Sequence, residues 1–350
     1  MLPNPIQVEL KNLGLDVCDI PRAIQTGFSG AMVYRIGEYA IKGHPLSRLS
    51  HLQRIHWAQQ RWVGEILLDP CNQGDHPTWI PGLIAWPSLL GQSNATLLVD
   101  SDKCWECMDW KQGVAVGSIQ QVTVSHVRSV GLALGQLHRI ARRWPIESSV
   151  VESVDYRMIQ RHELLKQAVD TEFRKQNLIL LKWNSFSKDS SLSNTLLPLV
   201  IEALEVAIRV ARPSVVAMKN LCCTASLKHW MHGDAWRGNW LFSGGDGEGL
   251  LRVSGLIDFG QAGLRWPGFD FARAIGSMGW GQSSFWQEAW ESYKRILGEP
   301  GYRLEEAWLM HRVSMVLTLV AYIDRMEFGL MQDEPSMDRL REVCLQLKSL

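Results

Sequence analysis

The sequence predicts an α+β fold of two lobes: a small β-rich N-lobe over residues 1–109 and a larger, mostly helical C-lobe over 110–350. Three observations carry this reading. The chain has 350 residues, enough for two lobes with their own apolar interiors. Its apolar pattern is strand-like up to about residue 110 and helical from Thr123 onward. Short strand signals return near 239–258, where they bracket a cluster of polar residues.

The elements follow in order. Ile24–Ile36 and Tyr39–Gly43 read as strands joined by a tight turn at Gly37-Glu38. Pro45 to Val63 reads as a helix, with Ser47 as N-cap and Leu49, Leu52, His56 and Gln60 along one side. Strands near Ala95–Val99 and Lys103–Met108 flank the turn Asp100-Ser101-Asp102. Val127, Val130, Leu134, Leu137 and Ala141 keep a 3–4 spacing that Trp144-Pro145 stops. Helical patterns continue over Glu152–Lys182, Leu197–Val210, Phe285–Leu297 and Leu304–Phe328, with a Ser/Asn-rich loop expected at Asn184–Thr195.

Composition excludes several classes. Lys+Arg and Asp+Glu are 36 each, so no basic surplus exists for binding nucleic acid or an anionic membrane surface. The best apolar run, Met315–Ile323, is far short of the roughly 20 residues a membrane helix needs. The first residues carry no apolar signal core, and seven Cys without framework spacing fit a reducing, cytoplasmic compartment. Cys104 and Cys107 form a C-x-x-C pair, read as buried strand thiols because no second pair or nearby His follows. Sixteen Trp are unusual, and seven of them lie between Trp230 and Trp290. Most should brace the interior; any that line a binding site would favour a cationic or flat ligand.

The strongest chemical signal is His232-Gly233-Asp234-Ala235-Trp236-Arg237-Gly238-Asn239, followed 19 residues after Asn239 by Asp258-Phe259-Gly260. Phosphoryl transfer needs an Asp to orient the attacking hydroxyl, and an amide oxygen and a second carboxylate to hold Mg²⁺ on the nucleotide. Asp-x₄-Asn on a tight loop, then a hairpin to Asp-Phe-Gly, brings these three together. Upstream, Tyr39-Ala40-Ile41-Lys42 reads as a strand whose Lys would clamp nucleotide phosphates. Gly27-Phe28-Ser29-Gly30, with Gly27, Ser29 and Gly30 small enough to let backbone N–H groups approach an anion, is either the phosphate-covering turn or an ordinary hairpin turn.

These residues resemble the aminoglycoside phosphotransferase/choline kinase group of the protein-kinase-like superfamily. The group's loop H-G-D-x-x-x-G-N matches His232, Gly233, Asp234, Gly238 and Asn239, its Ile-Asp-Phe-Gly matches Ile257–Gly260, and its later Asp-hydrophobic-Ala matches Asp270-Phe271-Ala272. Leu137-His138 looks like the group's Leu-His helix end. The resemblance implies a bilobal protein-kinase-like fold and ATP- and Mg-dependent phosphorylation of a hydroxyl on a small-molecule acceptor. Aminoglycosides, choline-like amines and amino sugars are the expected acceptors. It implies Asp234 as catalytic base, Asn239 and Asp258 as Mg²⁺ ligands, Lys42 on the phosphates, and the strand end Glu106-Cys107-Met108-Asp109, Glu106 and Met108 above all, as the inter-lobe hinge whose backbone meets adenine. Asp270 would hold the catalytic loop.

Two departures shape further expectations. Gly233 stands where most protein kinases carry Arg, which argues against control by a phosphorylated activation loop. A helix Glu normally pairs the strand Lys, yet between His44 and Pro70 the acids are Glu65 and Asp69. Either the helix runs long, or Gln53, His56 or Gln60 takes that place. This gap leaves a second reading, a catalytically weak kinase-fold protein that binds nucleotide or a partner. Arg237 is read with two equal options, the γ-phosphate or a carboxylate, and Trp236 as packing under the loop or facing a ligand.

Overall fold

The computed structural model describes all residues except 1, 16–23, 26–31, 70–77, 93–94, 146–151, 171–190, 225–227, 245–250, 280 and 328–333. The N-terminal part contains α1 (Asn4–Asn12), β1 (Ile24–Gln25), β2 (Met32–Ile36), β3 (Tyr39–Pro45), α2 (Leu49–Leu67), β4 (Leu83–Ile84), β5 (Leu97–Asp100) and β6 (Lys103–Asp109). The strands form one antiparallel sheet in the order β1-β2-β3-β6-β4, with β5 also on β6. The region around Gly27, Ser29 and Gly30 lies outside the described residues.

The central strand β6 is covered on both faces, because alternate residues point to opposite sides. Trp105 and Cys107 join Ile6 and Leu10 of α1 in one apolar cluster, whereas Cys104 joins Leu52, Ile55 and Trp62 of α2 in the main core. The two thiols are free, buried and on opposite faces, so they do not form one metal site. Burial pushes the Cys107 thiol up to about 12.

Helix α2 differs from the expectation in two ways. A 3₁₀ turn over Leu46–Arg48 precedes it, which puts Arg48, not Ser47, at the N-cap, without a side-chain cap. Its buried stripe is Leu52, Ile55, His56, Gln59, Trp62 and Ile66, so Gln60 points outward.

The C-terminal part contains β7 (Val114–Ala115), α3 (Val124–Ala141), α4 (Glu152–Asp170), α5 (Ser191–Thr224), β8 (His229–Met231), β9 (Trp240–Ser243), β10 (Arg252–Leu256) and β11 (Gly263–Arg265), then α6 (Gly268–Gly279), α7 (Ser283–Leu297), α8 (Leu304–Glu327) and α9 (Glu334–Lys348). Strands β10, β9 and β7 form one small sheet and β11 pairs with β8. Thr123 caps α3 in a reciprocal box with His126, and the five apolar residues expected to face the core are all buried.

Helix α5 starts at Ser191 and runs through Pro213, where the sequence pattern suggested a loop to Thr195 and a helix ending at Val210. Val200, Ala203, Ala207, Ala211, Met218 and Leu221 are all buried along it. That continuous apolar stripe outweighs the local cost of an interior proline.

No helix among the described residues is long and apolar enough to cross a membrane. Trp266, Trp286 and Trp290 are buried and stack edge-on with Tyr302 or Phe271, as interior bracing requires.

Candidate active site

Strand β8 delivers the chain to a tight loop, His232–Asn239, that depends on one backbone geometry. Gly233 has φ +84°, and a Cβ there would run into the Gln261 carbonyl oxygen. Only glycine fits. Asp270, fully buried on the first turn of α6, accepts hydrogen bonds from His232 N (2.7 Å) and Gly233 N (2.8 Å). Burial pushes its carboxyl up, but His138, whose Nε2 lies 3.6 Å from Oδ2, the charge of His232 and the Gly233 amide outweigh it and hold it below the usual carboxylate range. His138 in turn bonds the Tyr293 hydroxyl at 2.7 Å. The Leu137-His138 signal thus marks a residue that braces the loop from beneath. Arg265, on β11, donates to the carbonyls of Gly233 and Gln261. His232 Nε2 lies 3.0 Å from Ile257 O and ties the loop to the Asp258 segment.

Asp234 emerges from this loop half-buried, with Arg273 Nε 3.1 Å from its Oδ1. Asn239 donates its amide Nδ2 to Asp234 O at 2.8 Å, which leaves the amide oxygen as the remaining polar atom of that side chain. Asp258 adopts a left-handed backbone (φ 62°) and receives Lys42 Nζ at 2.6 Å on Oδ1. Burial raises the Asp258 carboxyl, but the adjacent Lys42 charge wins and lowers it. Its second oxygen, with the Asn239 amide oxygen, is a hard donor set suited to Mg²⁺ completed by phosphates and water.

Lys42, Asp234, Asn239 and Asp258 line one inter-lobe cavity of about 740 Å³ together with Val33, Ala40 and Met108.

The helix carboxylate expected for Lys42 is replaced by a different arrangement. Glu106, opposite Lys42 in the sheet register, is buried between His44 Nε2 (2.8 Å) and His56 Nε2 (2.5 Å). His56 also meets Thr96 Oγ1 through Nδ1. Burial pushes Glu106 up, yet the two histidines hold it well below the usual range. So α2 does run long and does present His56, but to Glu106; Glu65 bonds Arg61 and the Trp144 ring nitrogen instead. Arg48 and His51 of the same helix region reach Gly260 O and dock α2 onto the Asp-Phe-Gly turn.

The backbone of Glu106 and Met108, expected at the hinge, lies within the sheet. Glu106 lies between Lys42 and Leu97, and Met108 between Ala40 and Leu83, in the sheet register. The ladder continues through Asp109 N to Gly82 O and Trp110 N to Glu38 O. Backbone in mid-sheet is occupied. The cavity edge beyond the ladder is Lys111 to Gly113.

A second cavity of about 740 Å³ opens on the C-terminal side, and Trp236, Gln261, Arg273 and Arg339 line both. Trp236 is therefore a lining residue, with its ring against Gly238, where any Cβ would collide with it. Arg237 has turned from the inter-lobe cavity to a bidentate pair with Glu342 of α9. Sequence reasoning missed Arg273, although its place three residues after Asp270 puts both on one helix face toward the loop. Arg339 had no comparable local signal.

The chain's residues 85–308 match the family described as "Phosphotransferase enzyme family". The chain belongs to that family, which makes it a small-molecule phosphotransferase with the bilobal kinase-like fold. Solved structures agree on the fold. The spectinomycin phosphotransferase crystallised with ADP and spectinomycin is 15% identical, with TM-score 0.60 over 100% of this chain and 99% of that one. An aminoglycoside phosphotransferase from Alicyclobacillus acidocaldarius is 14% identical, with TM-score 0.57 over 100% and 93%. A 2″-phosphotransferase bound to GDP and kanamycin is 17% identical, with TM-score 0.54 over 98% and 97%. No curated protein matches the sequence.

Proposed function

We propose that the protein transfers the γ-phosphoryl group of Mg-ATP to a hydroxyl of a small molecule, with lobes joined at Asp109–Trp110. The observation that carries this is the convergence of Lys42, Asp234, Asn239 and Asp258 on one cavity that shares Trp236, Gln261, Arg273 and Arg339 with another. The acceptor hydroxyl enters from the second cavity and donates its hydrogen bond to Asp234. Its oxygen attacks the γ-phosphorus in line, the bond to the β–γ bridging oxygen breaks, the proton passes to Asp234, and ADP leaves. Arg273 fixes the Asp234 carboxylate toward that hydroxyl. Lys42 meets the phosphates once nucleotide displaces it from Asp258, and Asn239 and Asp258 would hold Mg²⁺, which would supply charge neutralisation at the phosphates. Adenine meets the chain at Lys111–Gly113, past the sheet ladder.

The test is transfer of label from γ-³²P-ATP to a panel of hydroxyl compounds, with Asp234→Asn as control. Labelled product from the unaltered protein and none from the variant is expected. Equal transfer by the variant would remove the reading.

A further inference from the structure

The second cavity is built for an anion. Among its described lining residues are Arg161 of α4, Arg237 of the catalytic loop, Arg273 of α6, Arg325 of α8 and Arg339 of α9, against one carboxylate, Glu342. Glu342 is the bidentate partner of Arg237. Asp234, at the junction with the inter-lobe cavity, is paired with Arg273. The chain as a whole is neutral, so this is a local concentration of guanidinium groups.

Arg273, Arg325 and Arg339 converge further. Burial raises the Tyr322 hydroxyl and Glu342 adds to this, while all three arginines act against it; Arg339 is itself acted on by Glu342 and Asp234 as well as by Arg273. His311 in the same wall adds no charge of either sign, since burial and the neighbouring Arg273 and Arg312 press it down to about 3. The Trp236 face, which would attract a cationic acceptor, is covered by the Arg339 guanidinium at 4.2 Å from the ring centroid.

Resting on the phosphotransferase reading, we infer that the acceptor is an anionic hydroxyl compound, its carboxylate or phosphate held by Arg325, Arg339 and Arg273 with its hydroxyl toward Asp234. Planar guanidinium forks suit both groups, and a partly enclosed cavity with a surplus of one sign concentrates the opposite charge. Amines such as aminoglycosides would bring like charge into that field.

The experiment is calorimetric titration of the full chain, holding Mg-ADP, with glycerate, glucose 6-phosphate, glycerol and kanamycin. Glycerate or glucose 6-phosphate binding above glycerol and kanamycin is expected, and which of the two binds separates carboxylate from phosphate. Binding should weaken as salt rises. Arg325→Ala should raise the Kd of the binding anion about 10-fold or more, with Arg325→Lys in between. If the Ala variant fails to fold, Arg325→Gln and the salt series on the unaltered protein carry the test. Kanamycin binding as tightly as either anion, no anion binding at all, or an anion Kd unmoved by the substitution each overturns the inference. The two readings fail separately. Anion binding without phosphate transfer from ATP sinks the phosphotransferase reading alone, while transfer to kanamycin without anion binding sinks this inference alone.

Discussion

The two cavities that share Arg273, the partner of Asp234, are built on different electrostatic rules. In the inter-lobe cavity the carboxylates are paired: Lys42 with Asp258, and His44 and His56 with Glu106. Among the described residues lining the C-terminal cavity, arginines outnumber carboxylates. The difference teaches that phosphate chemistry and acceptor choice are separable here. On the proposed reading, the first cavity would hold a polyanion by a few placed charges and a metal, and the second would set a field that selects what comes near. Substitutions on the two sides should therefore fail in different ways.

The largest effect is expected where the cavities join. Asp234→Asn keeps the shape of the site but removes the acceptor of the hydroxyl proton, which should lower kcat about 10²- to 10⁴-fold while the thermal shift with Mg-ATP persists. Loss of both activities together would show that Asp234 serves the nucleotide side. Next is Asp258→Ala, confined to the inter-lobe cavity. It removes the Lys42 partner and the proposed Mg²⁺ ligand, so the Mg-dependent part of nucleotide binding should vanish. An unchanged Mg-ATP thermal shift would contradict the assignment.

Asp270→Asn reaches beneath both cavities. One carboxylate oxygen meets each of two loop amides, and an Asn side chain offers one acceptor where two are needed. The cost should be about 1–3 kcal/mol in urea unfolding, accompanied by reduced turnover as the loop loosens. A variant with normal stability and normal turnover would mean that the loop is held by Arg265 and His232 alone.

The same contrast explains how much was legible in the sequence. His232 to Asn239, Asp258 and Asp270 are short-range patterns, because a tight loop, a hairpin and a helix start place them locally. Their convergence with Lys42 follows from the fold those patterns imply. The Lys42 partner was harder. The sequence offers no helix carboxylate at the usual place; Lys42 pairs with Asp258, and Glu106, which holds His56 of that helix, comes opposite Lys42 only once β3 and β6 are in register. The arginines of the second cavity come from α4, α6, α8 and α9, so no spacing announces them. Helix α1 has just Ile6 and Leu10 as a buried apolar stripe over nine residues, and its role depends on the outer sheet face it covers. Strand ends look alike in sequence, so the pairing of Glu106 and Met108 on both sides is visible only in the ladder.

The smallest effect concerns the roof of the inter-lobe cavity and appears only in acid. Glu106 faces His44 on β3, His56 on α2 and the Cys104 thiol on its own strand, and its charge also reaches Asp258. Because its carboxyl is held below the ordinary 4.5 in the folded chain, the stability it contributes is fully present above that value. It is lost as pH falls through the lower, folded value, where the paired carboxylate takes up its proton. Glu106→Gln cannot titrate. Its thermal midpoint should be lower than the parent's at neutral pH, and the gap should narrow on acidification below about 4.5, at no more than about 1.4 kcal/mol per pH unit for one proton. Melts from pH 3 to 7 on both proteins measure the gap directly, and the other carboxylates cancel in the difference. A gap that stays constant with pH would mean that Glu106 holds the two histidines by shape and hydrogen bonding, with its charge contributing nothing to stability.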